Sequence, residues 1–224
     1  MQAEAVIQFL SVATVILFET TRLLFRSHQV QDKEEFIQMH TDPEVRRYVG
    51  GQAWSLEKAR YRFRSQYLGK PSRMYGLWAT VLKEEQKYIG CCGLRAAPKE
   101  KAAHLAYYLA RPYWGKAIAS EACTAFIDLA FTGLRLSRLL ADVDEGNAVS
   151  RHILEKFGFN VVGRGEIAAS GRVILLYELR APSGEMRVFS AKAHRDAGRR
   201  ETVKPQKNAV RLQSFRGRDT SFPG

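Results

Sequence analysis

Hydrophobic positions recur along this chain with two periods, and the switches between them mark the elements. The run Thr21–Arg26 reads as a first strand. Asp32-Lys33-Glu34-Glu35 has the form of a capping box and predicts a helix that stops near Thr41-Asp42-Pro43. Ser55 caps a second predicted helix that runs to about Leu68, before Gly69 and Pro71. Leu77–Leu82 alternates as a strand, Lys83–Gln86 is a polar turn, and Tyr88–Leu94 alternates again, so the pair predicts a hairpin. Ala102–Leu109 is a further strand, stopped by Arg111-Pro112. The period then lengthens. Ala119, Ala122, Cys123, Phe126, Leu129 and Ala130 recur at helical spacing until Gly133. Arg138–Val143 predicts a strand, and Asn147–Phe157 a helix closed by Gly158. Asn160–Gly163 and Arg172–Leu179 predict a final hairpin. Beyond Pro182 apolar periodicity disappears.

The stretch Tyr113–Ala122 sits between a strand and a long helix, and it holds the chain's candidate chemistry. A strand, a tight turn of small residues and a helix start bring several main-chain N–H groups into one concavity. The first N–H groups of a helix have no internal acceptor, and the helix dipole adds positive potential there. Such a turn suits a pyrophosphate. It is not a Walker loop, because Gly115-Lys116 lacks the Gly-x4-Gly-Lys-Ser/Thr spacing, and no Gly-x-Gly-x-x-Gly is present.

Composition changes the picture mainly at the two ends. The 224 residues suit one domain with extensions. The net charge is +12, but ten Lys/Arg against three Asp/Glu lie between Arg187 and Gly224. The excess is therefore largely a property of the tail. Residues 183–224 are expected to be a disordered basic extension, either contacting nothing specific or meeting a polyanion such as ribosomal RNA. Residues 1–18 form an apolar extension with no Lys or Arg before Arg22. That run is short for a spanning helix and lacks the basic start of an export signal. An extra helix or an unstructured leader is expected, with no membrane role. Cys91, Cys92 and Cys123 have neither disulfide nor metal spacing. They read as small core hydrophobes in a cytoplasmic protein, with Cys91 and Cys92 facing opposite sides of a strand.

The motifs, taken in order, resemble those of the GNAT N-acetyltransferases, and within them the ribosomal-protein N-terminal acetyltransferase group. They are Glu19–Leu24, Asp42-Pro43-Glu44-Val45, Tyr88-Ile89-Gly90 and Tyr107-Tyr108-Leu109. Tyr113-Trp114-Gly115-Lys116, Ser120-Glu121-Ala122, Asn147-Ala148-Val149-Ser150 and Glu155–Phe159 follow. The resemblance covers roughly Glu19 to Arg180, and residues 19–182 are taken as the acetyltransferase domain. It implies an α/β fold, a mixed and mostly antiparallel twisted sheet flanked by helices on both faces. It also implies acetyl-CoA as co-substrate, no metal, and an amine acceptor, either a protein N-terminus or a small molecule.

In that family the strands matching Ala102–Leu109 and Arg138–Val143 splay apart and admit the pantetheine arm. Carried onto this chain, Trp114, Gly115, Lys116, Ala117, Ile118 and Ala119 would hold the pyrophosphate through main-chain N–H groups. Trp114 would pack beneath the turn. Tyr108 and Leu109 would pair with the pantetheine amides, and Asn147 would bond the cofactor arm. Ser150 would return a proton to the leaving thiolate. Three positions depart from the family pattern, the first being Ala106 where a glycine is usual. Ala117 replaces a glycine, where a Cβ would crowd the phosphates if φ is positive. His104 stands where a glutamate is usual.

Transfer of acetyl to an amine needs that amine neutral. At pH 7 this costs about 1 kcal/mol for an α-amine but about 4–5 kcal/mol for a lysine. A histidine can serve as base for the easier case, and His104 is the candidate. Each candidate has a plainer alternative. His104 could be a partly exposed strand residue, Ser150 a locally bonded first-turn residue, and Asn147 simply the N-cap of its helix. Two other functions compete: a degenerate domain that binds acyl-CoA or a partner without turnover, and a nucleic-acid adaptor acting through the tail.

Overall fold

Eight strands make one sheet in the order β1-β2-β3-β4-β5-β6-β8-β7. The computed structural model describes residues 14–69, 74–97, 101–167 and 170–182. The strands are β1 (Ile16–Glu19), β2 (Leu23–Arg26), β3 (Gly76–Leu82), β4 (Lys87–Ala97), β5 (Ala102–Leu109), β6 (Arg138–Asp144), β7 (Asn160–Ile167) and β8 (Arg172–Arg180). Every neighbouring pair is antiparallel except β5 and β6. The helices are α1 (Lys33–Thr41), α2 (Pro43–Arg46), α3 (Leu56–Arg62), α4 (Ile118–Asp128) and α5 (Ala148–Lys156). Short π turns, Phe63–Tyr67 and Leu129–Gly133, extend α3 and α4.

Two apolar clusters cover the two faces of the sheet. On one, Leu23, Phe25, Trp78, Leu105, Leu139 and Tyr177 pack against Ile118, Cys123 and Phe126 of α4 and Leu154 of α5. On the other, Ala79, Tyr88 and Cys91 pack against Phe36 and Met39 of α1, Ala59 of α3 and Phe63. Adjacent strand residues point to opposite faces, so Cys91 lies in the second cluster and Cys92 in the first. All three cysteines are buried, and burial pushes the Cys91 thiol up to about 12. The mixed sheet with helices on both faces is the architecture the sequence implied.

Two local expectations change. Residues 16–18 are neither helix nor leader. They belong to β1, which pairs with β2 and adds an edge strand, with the Phe18 ring tilted against Phe25 and edge-on to Phe126. The Asp32 carboxylate does not cap α1. It turns back to accept from Gln29 N and binds the Arg26 guanidinium at two points, both 2.7 Å, inside the protein. Asp42 instead caps the short α2, accepting from Glu44 N. Ser55 caps α3 as expected, its Oγ accepting from Lys58 N. Residues 1–13 and the basic stretch 183–224 lie outside the described residues. Among the described residues no helix is long and apolar enough to cross a membrane.

Candidate active site

The site begins where β5 and β6 part. They pair in parallel over three positions, Ala102–Arg138, Ala103–Leu139 and His104–Leu140. Beyond His104, β5 follows β4 and β6 follows β8. One edge of Leu105–Leu109 is left without a strand neighbour.

The ladder decides which main-chain groups face that gap. In antiparallel pairs, opposed residues alternate between exchanging hydrogen bonds and facing away. Ala110 N donates to Ile89 O. Counting back in register, Tyr108 and Ala106 bond to β4, while Leu109, Tyr107 and Leu105 face the gap. A Cβ on Gly90 of β4 would run into the Tyr108 carbonyl oxygen, which places that oxygen on the β4 side. This corrects the expectation for Tyr108, whose main chain is committed to the sheet. The Leu109 carbonyl does face the gap, but it already accepts from Trp114 Nε1 at 2.7 Å.

The turn after β5 forms the second part. Gly115 and Ala117 both adopt positive φ, +72° and +57°. A Cβ on Gly115 would meet nothing within 4 Å, so glycine serves conformation there rather than space. Ala117 holds the same left-handed region with a Cβ, a strain of about 1 kcal/mol or more. The first N–H that bonds within the helix register is that of Glu121, to Ala117 O. The N–H groups from Gly115 to Ser120 have no acceptor among the described residues. They can donate together to an anion at a helix N-terminus. Ile118 contributes only its main chain, since its side chain lies in the core. Lys116 is exposed, with Nζ 5.5 Å from the centre of the Tyr113 ring. Trp114 does not pack beneath the turn. It is 47% exposed and tethered through its indole nitrogen.

The turn is fixed by residues that carried no role in the sequence reading. Glu121, in the first turn of α4, accepts from Thr20 Oγ1, from Arg22 N and from Arg22 Nε. Arg22 Nη1 donates to Lys116 O at 3.0 Å. Burial raises the Glu121 pKa, but the bonds from Thr20 and Arg22 outweigh it and hold the carboxyl below its ordinary value. A negative charge at the mouth of an anion site is thereby neutralised.

Around the gap stand two polar pairs on opposite faces of the sheet. His104 Nδ1 lies 2.9 Å from Asp142 Oδ2 on β6, and Arg95 approaches the same oxygen at 3.8 Å. If the carboxylate accepts from Nδ1–H, the Nε2 lone pair is free to take a proton. Across the sheet, Tyr107 Oη lies 2.8 Å from Ser150 Oγ. Burial raises the Tyr107 phenol well above its usual pKa. Asn147 caps α5, its Oδ1 accepting from Ser150 N at 3.1 Å, which leaves its amide N–H groups as donors for a ligand. Asp142 and Tyr107 were missed as site residues. The visible signal was an acid in the otherwise apolar run Leu139–Val143, and a tyrosine on the strand edge next to the turn.

The residues present fit coenzyme A: a row of free N–H groups for a diphosphate, then an open strand edge for an amide-bearing arm. Among the described residues, no group of three or more His, Cys, Asp or Glu side chains gathers to hold a metal ion.

Comparison with known proteins gives the family. Residues 22–160 match the domain described as "Acetyltransferase (GNAT) domain". An uncharacterized N-acetyltransferase, p20, of Bacillus licheniformis is 32% identical over 166 residues, 70% of this chain and 91% of that protein. A spermidine N-acetyltransferase from Vibrio cholerae, solved with CoA and spermine, superposes with a TM-score of 0.61 at 16% identity, over 72% of this chain and 96% of its own. The ribosomal-protein-S5-alanine acetyltransferase of Vibrio fischeri superposes at 0.56 and 19% identity, over 74% and 96%. With the domain matched over most of the described fold, the chain belongs to the GNAT acetyltransferase family and is an acyltransferase.

Proposed function

We propose that the protein moves acetyl from acetyl-CoA to a primary amine by direct attack, the acceptor being a protein N-terminal amine or a small-molecule amine. The observation that carries this is the run of acceptor-free N–H groups, Gly115–Ser120, next to a strand edge whose fork is marked by His104. Acetyl-CoA, when bound, supplies an acetyl thioester with a sulfur leaving group. The N–H groups of Gly115–Ala119 hold its diphosphate. The gap-facing groups of Leu105, Tyr107 and Leu109 hold the arm and give an N–H to the thioester carbonyl. His104 Nε2, with Asp142 fixing the ring, takes the proton from the amine. Ser150 Oγ, hydrogen-bonded to Tyr107, gives a proton toward the departing sulfur. Asn147 Nδ2 donates to the cofactor arm.

A second reading has one observation in its favour. Ala117 carries a Cβ in a left-handed turn at the mouth of the anion site, which suits a domain that binds acyl-CoA without turnover. One experiment separates the two. The full chain is incubated with acetyl-CoA and a panel of amines and peptides, and released thiol is measured. Acceptor-dependent release supports transfer. Tight acetyl-CoA binding with no release from any acceptor supports the second reading.

A further inference from the structure

A cation lies buried on the α1–α3 side of the sheet with no acid paired to it among the described residues. Arg46, at the end of α2, is only 6% exposed. Its guanidinium carbon stands 4.4 Å from the centre of the Trp54 ring, and its Nε reaches Gln52 O at 3.4 Å. Among the described residues no carboxylate pairs with it. A buried charge without a partner is costly, and proteins rarely keep one idle.

Other donors gather at the same place. Consecutive Gly50 and Gly51 lie over two guanidinium groups: a Cβ on the first would stand 2.7 Å from Arg46 Nη2, and one on the second 3.0 Å from Arg172 Nη1. Arg172 Nε donates to Asp144 Oδ2 at 2.9 Å and its Nη2 lies 2.8 Å from the same oxygen as an ion pair, while Nη1 lies under the glycine. Lys58 Nζ and Arg62 Cζ lie 5.8 and 5.9 Å from the same Trp54 ring. Trp54 Nε1 is buried and has no hydrogen-bond partner among the described residues. Burial lowers the Arg46 pKa. Tyr108 and Tyr67 counter this, while Arg172 and Arg62 add to it, as expected where positive charges crowd.

This group lies beyond Tyr108 from the candidate base. His104 and Tyr108 are four residues apart on β5 and share a face. Tyr108 senses Arg46 together with Arg95 and Asp142. The His104–Asp142–Arg95 group, where acid and base are paired, and the basic group at Arg46, where they are not, therefore both neighbour one tyrosine. We propose that Arg46, Arg172 Nη1 and Trp54 Nε1 form a subsite for a carboxylate or phosphate, and that the acceptor is an amine which also carries such an anion. This rests on the acetyl-transfer reading above. The guanidinium fork suits either anion, and a polyamine finds repulsion there.

The test uses matched acceptors with the full chain. A dipeptide is compared with its C-terminal amide, phosphoethanolamine with ethanolamine, and spermidine serves as the cationic arm. At least one anionic member should exceed its neutral partner by about tenfold in kcat/KM, and which pair does so distinguishes carboxylate from phosphate. Arg46→Gln should erase that preference while leaving acetyl-CoA affinity unchanged. Equal rates within both pairs, or a preference that survives Arg46→Gln, overturns the proposal. A second readout needs no turnover. Phosphate and acetate, each compared with chloride at equal ionic strength, should raise the melting temperature of the native chain more than that of Arg46→Gln. With no acceptor turned over, such a difference keeps the anion subsite and removes the transferase reading. No difference removes the subsite. If Arg46→Gln fails to fold, Arg46→Met takes its place in both measurements, since it keeps an apolar stem against Trp54 and removes the charge.

Discussion

Arg22 Nε lies 2.6 Å from Glu121 Oε2, although the two residues are 99 positions apart. With the bond from Arg22 Nη1 to Lys116 O, this contact ties the β1–β2 turn to the first turn of α4 and to the anion-binding bend. Arg22→Ala should therefore loosen the bend and leave Glu121 as an unbalanced charge at its mouth. Acetyl-CoA affinity should fall by about tenfold, with only a small change in melting temperature, because Arg22 is partly exposed. Titration calorimetry checks it. The Glu121 carboxyl is held below its ordinary 4.5, so its contribution to folding is present above that pH and lost as pH falls through the lowered value.

Ala117 provides a test of opposite sign. Its φ of +57° strains an alanine and suits a glycine. Ala117→Gly should stabilise the protein by about 1 kcal/mol and tighten acetyl-CoA binding. Gly115→Ala, at φ +72° with open space for the methyl group, should destabilise by about the same amount. Denaturant melts of the two variants give both numbers.

The His104–Asp142 pair predicts a split between binding and rate. His104→Ala should lower kcat by about a hundredfold, remove the acidic limb of the kcat/KM profile and leave acetyl-CoA affinity unchanged. Asp142→Asn should lower kcat by about tenfold with the fold intact, because the amide no longer fixes the ring. An unchanged acidic limb in His104→Ala removes that residue from the mechanism.

Two buried histidines, His40 in α1 and His28 after β2, set the acid stability. Burial lowers the His28 pKa to about 4, with Asp32 opposing and Arg26 assisting. Burial, then Arg46 and His28, lower that of His40 to about 3. Both are neutral in the folded protein and take up protons when unfolded below 6.5. Stability is therefore complete above pH 6.5 and declines as pH falls toward 4 and 3. The loss is roughly 3 kcal/mol or more for each residue. His40→Phe, which keeps a ring against Trp54, should flatten the decline between pH 6.5 and 4 in urea melts.

The elements around the bend were legible in the sequence for local reasons. Alternation fixed β3, β4 and β5, Ser55 and Asn147 announced their helices by capping, and small residues marked the turn before α4. What was not legible depends on contacts across long stretches of chain. β1 is four residues of an apolar run, and only its pairing with Leu24, Phe25 and Arg26 makes it a strand. The Asp32 carboxylate fits a capping box by spacing, yet a buried guanidinium from β2 draws it away. Which of Tyr107 and Tyr108 faces the gap follows from one hydrogen bond, Ala110 N to Ile89 O, that no local pattern encodes. Asp142 and Arg46 gain meaning only once β6 and α2 are placed over β5.

The most direct measurement of the central claim is calorimetric titration of the folded chain with CoA, dephospho-CoA and pantetheine. The account predicts similar affinity for the first two, which share the diphosphate, and a loss of about a hundredfold for pantetheine, which lacks it. Equal affinities for all three, or no heat with CoA at millimolar levels, would contradict it.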